Sequence, residues 1–365
     1  MKRRELLKAG TAAGAGLLAT AVAAPAIAQS QPELKWRMAS TFPQTLEILW
    51  GTAVQLIKRV AEITDGRFKI QLFGPGEIVP AFQVLDATQN STVEMGWTSA
   101  YYYWGKDPSF AFFTAVPFGF NARLAEAWYL HGGGAEFVNE VFKDYNCHCI
   151  QSGNTTAQMG GFFRKEIRTV SDLQGLKFRI GGFAGNVVKK LGVVPQLIPP
   201  GEIYPALEKG VIDAVEWVGP ADDEKLGLAK IAKYYYYPGW WEGGAVAHAL
   251  INLNKWNELP ANYQAALTAA AREAGLWMTA KYDAANPAAL KRLVANGALL
   301  RPFSQEIMDA AYKATEETMN EFAANNTRFR RIYESVRAHV KEGYQWWQVC
   351  ELPFDSYQIR KASRS

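Results

Sequence analysis

The hydrophobic positions of the first part of the chain alternate between strand-like and helical spacing. Residues 35–39 form a short strand-like run, and the apolar positions of residues 45–64 recur at helical spacing. Residues 68–72 alternate apolar and polar side chains, as in a half-buried strand. A helix over 81–89 and a strand over 93–99 follow. This order predicts a parallel sheet with helices on both of its faces.

A second run of the same kind begins near Cys149. The pattern predicts strands over 150–154, 162–163, 177–180 and 211–217, and helices over 183–191 and 201–209. Two similar α/β lobes with a ligand between them are therefore expected. Lobe 1 is assigned to residues 29–150 and lobe 2 to residues 151–240.

The last third of the chain, 241–365, is expected to return to lobe 1 and then to become helical. Long helices are predicted over 260–296 and 304–342, and Pro287 is expected to kink or break the first of them. Their apolar positions continue over many turns without a strand to cover. Such helices must pack on the lobes or on another subunit.

The N-terminus has the composition of a bacterial export signal. Residues 1–4 are charged, residues 9–24 are small and apolar, and residues 26–28 fit a small-x-small cleavage pattern. The paired arginines of this segment are similar to a twin-arginine signal. Residues 1–28 are therefore predicted to be a signal peptide, and the mature protein to be periplasmic.

Composition adds limits on the class of protein. The chain has 365 residues, of which 49% are hydrophobic and 20% charged, which excludes disorder, collagen and coiled coil. Removal of residues 1–28 leaves 35 basic and 34 acidic residues, a net charge of +1. Nothing in this charge indicates a nucleic-acid partner.

Known catalytic motifs are absent from the sequence. It contains no Gly-x-Ser-x-Gly, no Gly-x-x-x-x-Gly-Lys loop and no His-Glu-x-x-His. The three cysteines, Cys147, Cys149 and Cys350, support no assigned disulfide. Binding without catalysis is the leading class, so the protein is predicted not to be an enzyme.

Two segments resemble a known family of transport receptors. Residues 170–179 (VSDLQGLKFR) are similar to the "DLKGLKxR" segment of solute-binding proteins of tripartite ATP-independent periplasmic (TRAP) transporters, the DctP-like family. Residues 202–216 (EIYPALEKGVIDAVE) resemble that family's next segment. The resemblance implies a two-lobed, periplasmic-binding-protein-like fold with an interlobe cleft. It also implies partnership with a small and a large membrane subunit.

Arg179 is the first candidate for ligand binding. It ends a predicted strand, and open α/β sheets bind ligands outside the carboxyl ends of their strands. A planar guanidinium in that place can hold a carboxylate through two hydrogen bonds, which a lysine cannot match. The family motif contains this arginine as well.

A cation site follows from the resemblance to the α-keto-acid-binding members of the family, in which a metal ion bridges protein and ligand. The implied ligands are the carboxylates of Glu216 and Glu242, the side-chain oxygen of Gln158 and the backbone oxygen of Trp217. Two glutamates, Arg179 and a substrate carboxylate are costly in a dry cleft without a cation. All-oxygen ligands suit a hard cation. Charge counting favours calcium, the resemblance favours sodium, and sodium is predicted with calcium as the alternative.

Further contacts to the substrate are expected from the first residues of lobe 2 and from a tyrosine run. Asn154 and Gln158 lie on a segment of small polar residues, where their amides suit a keto or carboxylate oxygen. Tyr101, Tyr102 and Tyr103 follow the strand over 93–99, and Tyr101 and Tyr103 are expected to reach the ligand. Aromatic candidates for the cleft wall, each equally suited to a core position, are Phe183, Trp217, Trp240 and Trp241.

The predicted function is that of a receptor for small 2-oxo monocarboxylates such as pyruvate and 2-oxobutyrate. One alternative is a receptor for lactate or another hydroxy or aromatic carboxylate with calcium. A second is a periplasmic lyase or hydrolase that uses Glu216 and Glu242 around a metal. The resemblance implies a homodimer with exchanged C-terminal helices, against a monomer with these helices folded back.

Overall fold

The computed structural model describes residues 31–362, so the predicted signal peptide lies outside the described residues. From Glu33 onwards the chain forms one compact unit. Among the described residues, no helix is both long and apolar enough to cross a membrane.

Eleven strands form two sheets among the described residues. In chain order they are β1 (Leu34–Ser40), β2 (Phe68–Phe73), β3 (Met95–Thr98), β4 (Cys147–Asn154), β5 (Gly161–Phe163), β6 (Lys177–Arg179), β7 (Val194–Gln196), β8 (Ala214–Val215), β9 (Tyr234–Tyr237), β10 (Val246–Asn252) and β11 (Leu299–Pro302). The first sheet has the order β2-β1-β3-β10-β4 and the second β11-β9-β5-β8-β6-β7.

Each sheet contains one strand that runs against the rest. Strands β1, β2 and β3 are parallel, as the pattern predicts, and β10 is antiparallel to both β3 and β4. In the second sheet β5 is antiparallel to β8 and β9. The two-sheet α/β architecture is confirmed, with mixed sheets in place of purely parallel ones.

Thirteen α-helices lie around these sheets within the described residues. They are α1 (Glu47–Ile63), α2 (Val84–Gln89), α3 (Phe110–Thr114), α4 (Ala122–His131), α5 (Gly134–Lys143), α6 (Ala184–Lys190), α7 (Ile203–Glu208), α8 (Pro220–Lys225), α9 (Leu253–Glu258), α10 (Ala261–Ala295), α11 (Gln305–Asn325), α12 (Thr327–Trp347) and α13 (Glu351–Ala362).

Helix α10 connects the two sheets. Its Tyr263 stacks on Phe68 of β2 at a centroid distance of 5.4 Å, while Tyr282, in its second half, donates to Asp222 of α8 at 2.6 Å. The helix continues for 35 residues through Pro287, so the proline does not break it, and a kink at this position stays a prediction. Buried residues on both sides of the proline, Tyr282 and Ala289, support the turn that lacks the proline N–H.

Two other predicted elements differ from the structure. The helix expected over 304–342 is two helices, because Asn326 leaves helical geometry and its side chain caps α12 by accepting from the Phe329 amide at 2.9 Å. The strand expected over 211–217 pairs regularly only at Ala214 and Val215.

The lobe boundaries stay a prediction. Strand β4 pairs in the first sheet as far as Asn154, past the expected boundary at residue 150. Strand β11, within the C-terminal third, pairs with β9 in the second sheet. The segments that link β4 to β5 and β9 to β10 therefore pass from one sheet to the other, and both carry predicted site residues.

The three cysteines form no disulfide. Cys147 and Cys149 lie on β4, where burial raises the pKa of both thiols, the first to about 12. Neutral buried thiols of this kind behave as small apolar side chains.

Candidate ligand and cation site

Arg179 is the last residue of β6, and its side chain is fully buried. Its Nη1 donates to the backbone oxygen of Glu216 at 2.8 Å and to Oε1 of the same residue at 2.6 Å. Its Nε donates to the backbone oxygen of Ile198 at 3.3 Å, whereas Nη2 has no hydrogen-bond partner among the described residues. The protons of Nη2 are therefore the ones left for an anionic ligand.

Glu216 directly follows β8, the strand next to β6. Its Oε1 accepts from Arg179 and from the backbone N–H of Gly181 at 2.7 Å, while its buried Oε2 has no partner among the described residues. Burial raises the pKa of Glu216, and the Arg179 charge and the Gly181 N–H act against that rise. Glu216 thus holds the arginine with one oxygen and leaves the other unused.

Two glycines bring Tyr101 of the first lobe close to this ion pair. A Cβ on Gly182, whose φ of +59° is left-handed, would overlap the Tyr101 ring. A Cβ on Gly181 would lie 2.9 Å from Tyr101 Oη. Because glycine has no side chain at either position, the Tyr101 ring can pack directly on the backbone that follows Arg179.

Glu242 lies between β9 and β10 and is 1% exposed. Neither of its carboxylate oxygens has a hydrogen-bond partner of standard geometry among the described residues. Burial and the Glu216 carboxylate raise the pKa of Glu242 well above its usual range, against the effects of Arg179, Gln158 and Tyr101. These neighbours show that Glu242 belongs to the same cluster as Arg179 and Glu216.

Gln158 and Asn154 are placed by the connection between β4 and β5. Gln158 Nε2 donates to Thr155 Oγ1 at 2.8 Å, and its buried Oε1 has no partner among the described residues. Asn154 Oδ1 accepts from the Thr156 amide at 2.9 Å, and its Nδ2 is left unpartnered in the same sense. Gln158 therefore has an acceptor to offer, and Asn154 a donor.

Backbone hydrogen bonds join the three segments that carry the predicted cation ligands. The Met159 amide donates to the Val218 oxygen at 3.0 Å, and the Gly239 amide donates to the Gln158 oxygen at 3.0 Å. The Glu242 amide donates to the Gly239 oxygen at 3.2 Å. These bonds thus connect three segments into one unit: that of Gln158, that of Glu216 and Trp217, and that of Glu242.

Trp217 packs its ring on the guanidinium of Arg179, with 4.9 Å between Cζ and the ring centroid. The Trp217 side chain is buried, which fits both a wall of the cleft and a core position. The role of its backbone oxygen in cation binding stays a prediction.

The other predicted wall residues differ from one another. Trp240 and Trp241 are buried side by side with ring centroids 4.7 Å apart, and Trp241 also meets Phe178 of β6 at 5.3 Å. Phe183 packs on Phe322 of α11 at 5.0 Å, which favours the core alternative, and its role as a wall of the site stays a prediction.

The tyrosine run divides differently from the prediction. Tyr103 Oη accepts from the Leu85 amide at 3.2 Å and lies 3.0 Å from Thr98 Oγ1, within lobe 1. The structure therefore does not bring Tyr103 to Arg179. Tyr102, the member of the run that the prediction favours least, is influenced by the site: burial raises its pKa to about 12, and the Arg179 charge is the main influence against that rise. A run of three tyrosines carries no signal for which of them turns inward.

Buried polar atoms without partners are concentrated in this cluster. Fourteen buried side-chain nitrogen and oxygen atoms of the described residues lack a hydrogen-bond partner, and nine of them belong to predicted site or wall residues. These nine are Asn154 Nδ2, Gln158 Oε1, Arg179 Nη2, Glu216 Oε2, both carboxylate oxygens of Glu242, and the Nε1 atoms of Trp217, Trp240 and Trp241. Native interiors rarely leave such atoms unsatisfied, so the cluster is built to receive polar groups from outside the chain.

The donor set fits a hard cation. Gln158 Oε1, Glu216 Oε2 and the two oxygens of Glu242 are buried acceptors without donors among the described residues. Two buried carboxylates oppose one guanidinium, and the excess negative charge favours a bound cation. Residues 31–362 contain no group of three or more His, Cys, Asp or Glu side chains suited to a metal. The predicted set has only two acids, because an amide and a backbone oxygen supply the rest.

Comparison with known proteins gives three close matches. The Monocarboxylate 2-oxoacid-binding periplasmic protein of Nostoc sp. (strain PCC 7120) is 48% identical over 98% of this chain and 99% of its own length. A TRAP transporter solute-binding protein from Bordetella bronchiseptica RB50 is 46% identical, with a TM-score of 0.90 over 91% of this chain and 99% of that one. Its structure is a mixed-occupancy dimer, with copurified calcium and picolinate in one active site and an apo second site.

A third relative is a TRAP periplasmic solute-binding protein from Pseudoalteromonas atlantica T6c, with bound sodium and pyruvate. It is 37% identical and has a TM-score of 0.87 over 89% of this chain and 99% of that one. Sodium and calcium, the two cations left open by the sequence, thus both occur in solved relatives.

The family resemblance of residues 170–179 and 202–216 is confirmed. Residues 39–326 match the sequence profile of the DctP family, described as "Bacterial extracellular solute-binding protein, family 7". The chain belongs to this family of solute-binding receptors.

Proposed function

We propose that this protein is the periplasmic receptor of a TRAP transporter and binds small 2-oxo monocarboxylates such as pyruvate and 2-oxobutyrate. The observation that carries the proposal is that Arg179, Glu216, Glu242 and Gln158, which act on one another, each keep a buried polar atom without a hydrogen-bond partner among the described residues. Arg179 has a donor left for an anion, and the other three have acceptors left for a cation.

The ligand carboxylate lies against Nη2 of Arg179. The other guanidinium nitrogens are already engaged by Glu216 and Ile198, so the arginine is held in one orientation before the ligand arrives. A guanidinium fixed in this way loses little freedom on binding. The Asn154 amide supplies a further donor to the ligand, and Tyr101 and Tyr102 close the site from the first lobe.

A bound cation supplies the positive charge that attracts the 2-oxo oxygen of the ligand. Its proposed ligands are Glu216, Glu242, Gln158 and the Trp217 backbone oxygen. Sodium is the proposed ion, with calcium as the alternative. The sodium- and pyruvate-bound relative supports sodium, and the calcium- and picolinate-bound relative supports calcium. Pyruvate and picolinate share a carboxylate next to a second donor atom, which is the pattern that a cation beside an arginine recognises.

The experiment is a calorimetric titration of the mature protein with pyruvate, with and without sodium, under calcium chelation. One-to-one, sodium-dependent binding is expected. Pyruvate has six heavy atoms, and at about −1.5 kcal/mol for each the Kd has a floor near 0.3 μM. No binding of pyruvate, with binding of lactate, would keep the fold and contradict the substrate assignment.

The calcium-bound relative supports a second candidate, a receptor for a hydroxy or aromatic carboxylate with calcium. Titration with picolinate and with lactate in calcium, beside pyruvate in sodium, separates the two. Tighter binding of picolinate than of pyruvate in both ions would favour the second candidate.

The receptor binds its ligand without converting it. Mass spectrometry of pyruvate after long incubation with the protein should recover pyruvate alone. A product that accumulates with time and depends on Glu242 would contradict the proposal and favour a metal-dependent lyase or hydrolase.

The protein functions as a homodimer. Helix α13 has no buried residue. It nevertheless carries four large apolar side chains that are each more than half exposed: Leu352, Phe354, Tyr357 and Ile359. A helix this apolar and this uncovered indicates a partner surface, and the Bordetella relative is a dimer. Light scattering after size exclusion should give twice the chain mass, and Leu352→Glu with Phe354→Glu should give a monomer. A wild-type monomer would contradict this assignment.

A further inference from the structure

Two buried aspartates lie next to the site on α8, and no predicted role uses them. Asp222 and Asp223 are each 1% exposed and form no ion pair among the described residues. Asp222 Oδ2 accepts from the Tyr282 hydroxyl of α10 at 2.6 Å. Asp223 Oδ2 accepts from the Tyr235 hydroxyl of β9 at 2.5 Å.

Asp223 also reaches the segment that carries Trp217. Its Oδ1 accepts from the Val218 amide at 3.4 Å, and the Val218 oxygen accepts from the Met159 amide at 3.0 Å. Both backbone groups of Val218 are thus held, one by α8 and one by the segment of Gln158. Because the Trp217 carbonyl and the Val218 amide share one peptide plane, a bond to that amide orients the carbonyl oxygen.

The bond from Tyr235 fixes the aspartate in turn. Tyr235 is fully buried on β9, the strand that leads to Glu242. The groups that face Asp223 are the Tyr235 hydroxyl, the Val218 amide, and the carboxylates of Asp222 and Glu216. Asp223 therefore connects α8, β9 and the Trp217 segment through one carboxyl group.

We propose that Asp223, held by the Tyr235 hydroxyl, is a positioning residue that orients the Trp217 backbone oxygen toward the cation. This inference rests on the proposed function, since it acts on the cation site assigned there. Groups that orient the ligands of a metal commonly change its affinity 10- to 100-fold when they are removed.

The chain offers a matched control on the same strand. Tyr236 is as buried as Tyr235, and its hydroxyl bonds only to the backbone of Ile167, donating to the oxygen at 2.9 Å and accepting from the amide at 2.5 Å. Tyr235→Phe and Tyr236→Phe both remove one buried hydroxyl from β9. Only the first removes a bond to Asp223.

The test is a titration of each full-length mature variant with calcium alone, followed by intrinsic tryptophan fluorescence, with thermal unfolding measured in parallel. Tyr235→Phe is expected to raise the calcium Kd roughly 10-fold or more, and Tyr236→Phe to leave it unchanged. Both variants should unfold at lower temperatures than the wild type. Asp223→Ala, which removes the acceptor of the Val218 amide, provides a second reading and should raise the calcium Kd in the same way.

Equal calcium affinities for Tyr235→Phe, Asp223→Ala and the wild type would overturn the inference, because a merely structural bond lowers only the unfolding temperature. A wild type that binds neither calcium nor, in a parallel titration, sodium would overturn it as well. Calcium binding without any pyruvate binding would instead contradict the substrate assignment alone.

Discussion

Two pairs of buried carboxylates lie within one part of the fold and differ in how their oxygens are satisfied. Glu216 with Glu242 and Asp222 with Asp223 are all at most 1% exposed, and burial raises the pKa of each. Each aspartate accepts a hydrogen bond from a tyrosine hydroxyl. The glutamates keep three carboxylate oxygens without partners among the described residues.

The difference teaches that burial and a raised pKa do not by themselves mark a ligand site. Raised pKa values alone would identify both pairs as candidate ligand sites. The aspartates are satisfied from within the chain, whereas the glutamates lack partners that only a bound group can supply. Unmet hydrogen bonding therefore separates the site from the framework that supports it.

The largest expected effect comes from removing the Arg179 guanidinium, which pairs with Glu216. Arg179→Ala should weaken pyruvate binding by about 2–5 kcal/mol, at least roughly 30-fold, because the ligand carboxylate and Glu216 both lose their buried partner. Calorimetry measures the loss. Arg179→Lys, which keeps the charge without the fork, should retain part of the affinity. Undiminished binding in Arg179→Ala would mean that the carboxylate binds elsewhere.

Substitutions at the glutamate pair and at the aspartate pair should have different effects on the free energy of unfolding. Glu242→Gln is expected to weaken cation binding by at least about 1.5 kcal/mol, roughly tenfold, without lowering the free energy of unfolding of the cation-free protein. Tyr282→Phe, which strips Asp222 of its donor, should lower that free energy by about 1–3 kcal/mol. Urea unfolding and a calcium titration give both quantities. A Glu242→Gln protein that is less stable than Tyr282→Phe would break the comparison.

Among the two aspartates, whose oxygens have partners within the chain, Asp223 should make the free energy of unfolding depend on pH. The pKa of Asp223 is raised to about 8, mainly by burial, so the folded protein retains a proton that the unfolded chain has lost above about pH 4. The free energy of unfolding should fall as pH rises from 4 to 8, by no more than about 1.4 kcal/mol per unit from this group. Asp223→Asn should remove that part of the slope in urea unfolding. An unchanged slope would assign the proton to another group.

The smallest effects concern the tyrosine run. Tyr102→Phe should weaken pyruvate binding by about 1 kcal/mol, because the Arg179 charge acts on its hydroxyl. Tyr103→Phe should lower the free energy of unfolding by about 1 kcal/mol and leave pyruvate affinity unchanged, since its hydroxyl bonds within lobe 1. Paired titrations and unfolding curves decide it. The reverse pattern would restore the original assignment of Tyr103.

The sequence predicts the elements of the sheets and the residues at their carboxyl ends well. Arg179 and Glu216 end neighbouring parallel strands, where periodicity and family motifs point to the same residues. Which tyrosine of 101–103 faces the site depends on a short 3-10 turn over Ala100–Tyr103. Such a turn has no periodic signal, so the sequence alone does not rank the three tyrosines.

Interactions between distant segments also lay beyond prediction. The break at Asn326 is a capping event, and the continuity of α10 through Pro287 depends on packing on both sides of the proline. The tyrosine partners of Asp222 and Asp223 lie on β9 and α10, and no spacing in the sequence pairs them. These features follow from tertiary contacts and not from local patterns.

The joined segments around Gln158, Val218 and Gly239 have a kinetic consequence. They come from separate parts of the chain and meet only when β5, β8 and β9 have paired. Because contacts between positions this far apart in sequence carry a large loop-closure cost, we expect them to form late in folding. The proposed cation would then act on a structure that the folding transition state lacks. Its main effect should be to lengthen the lifetime of the folded receptor, with little change in how fast the chain folds.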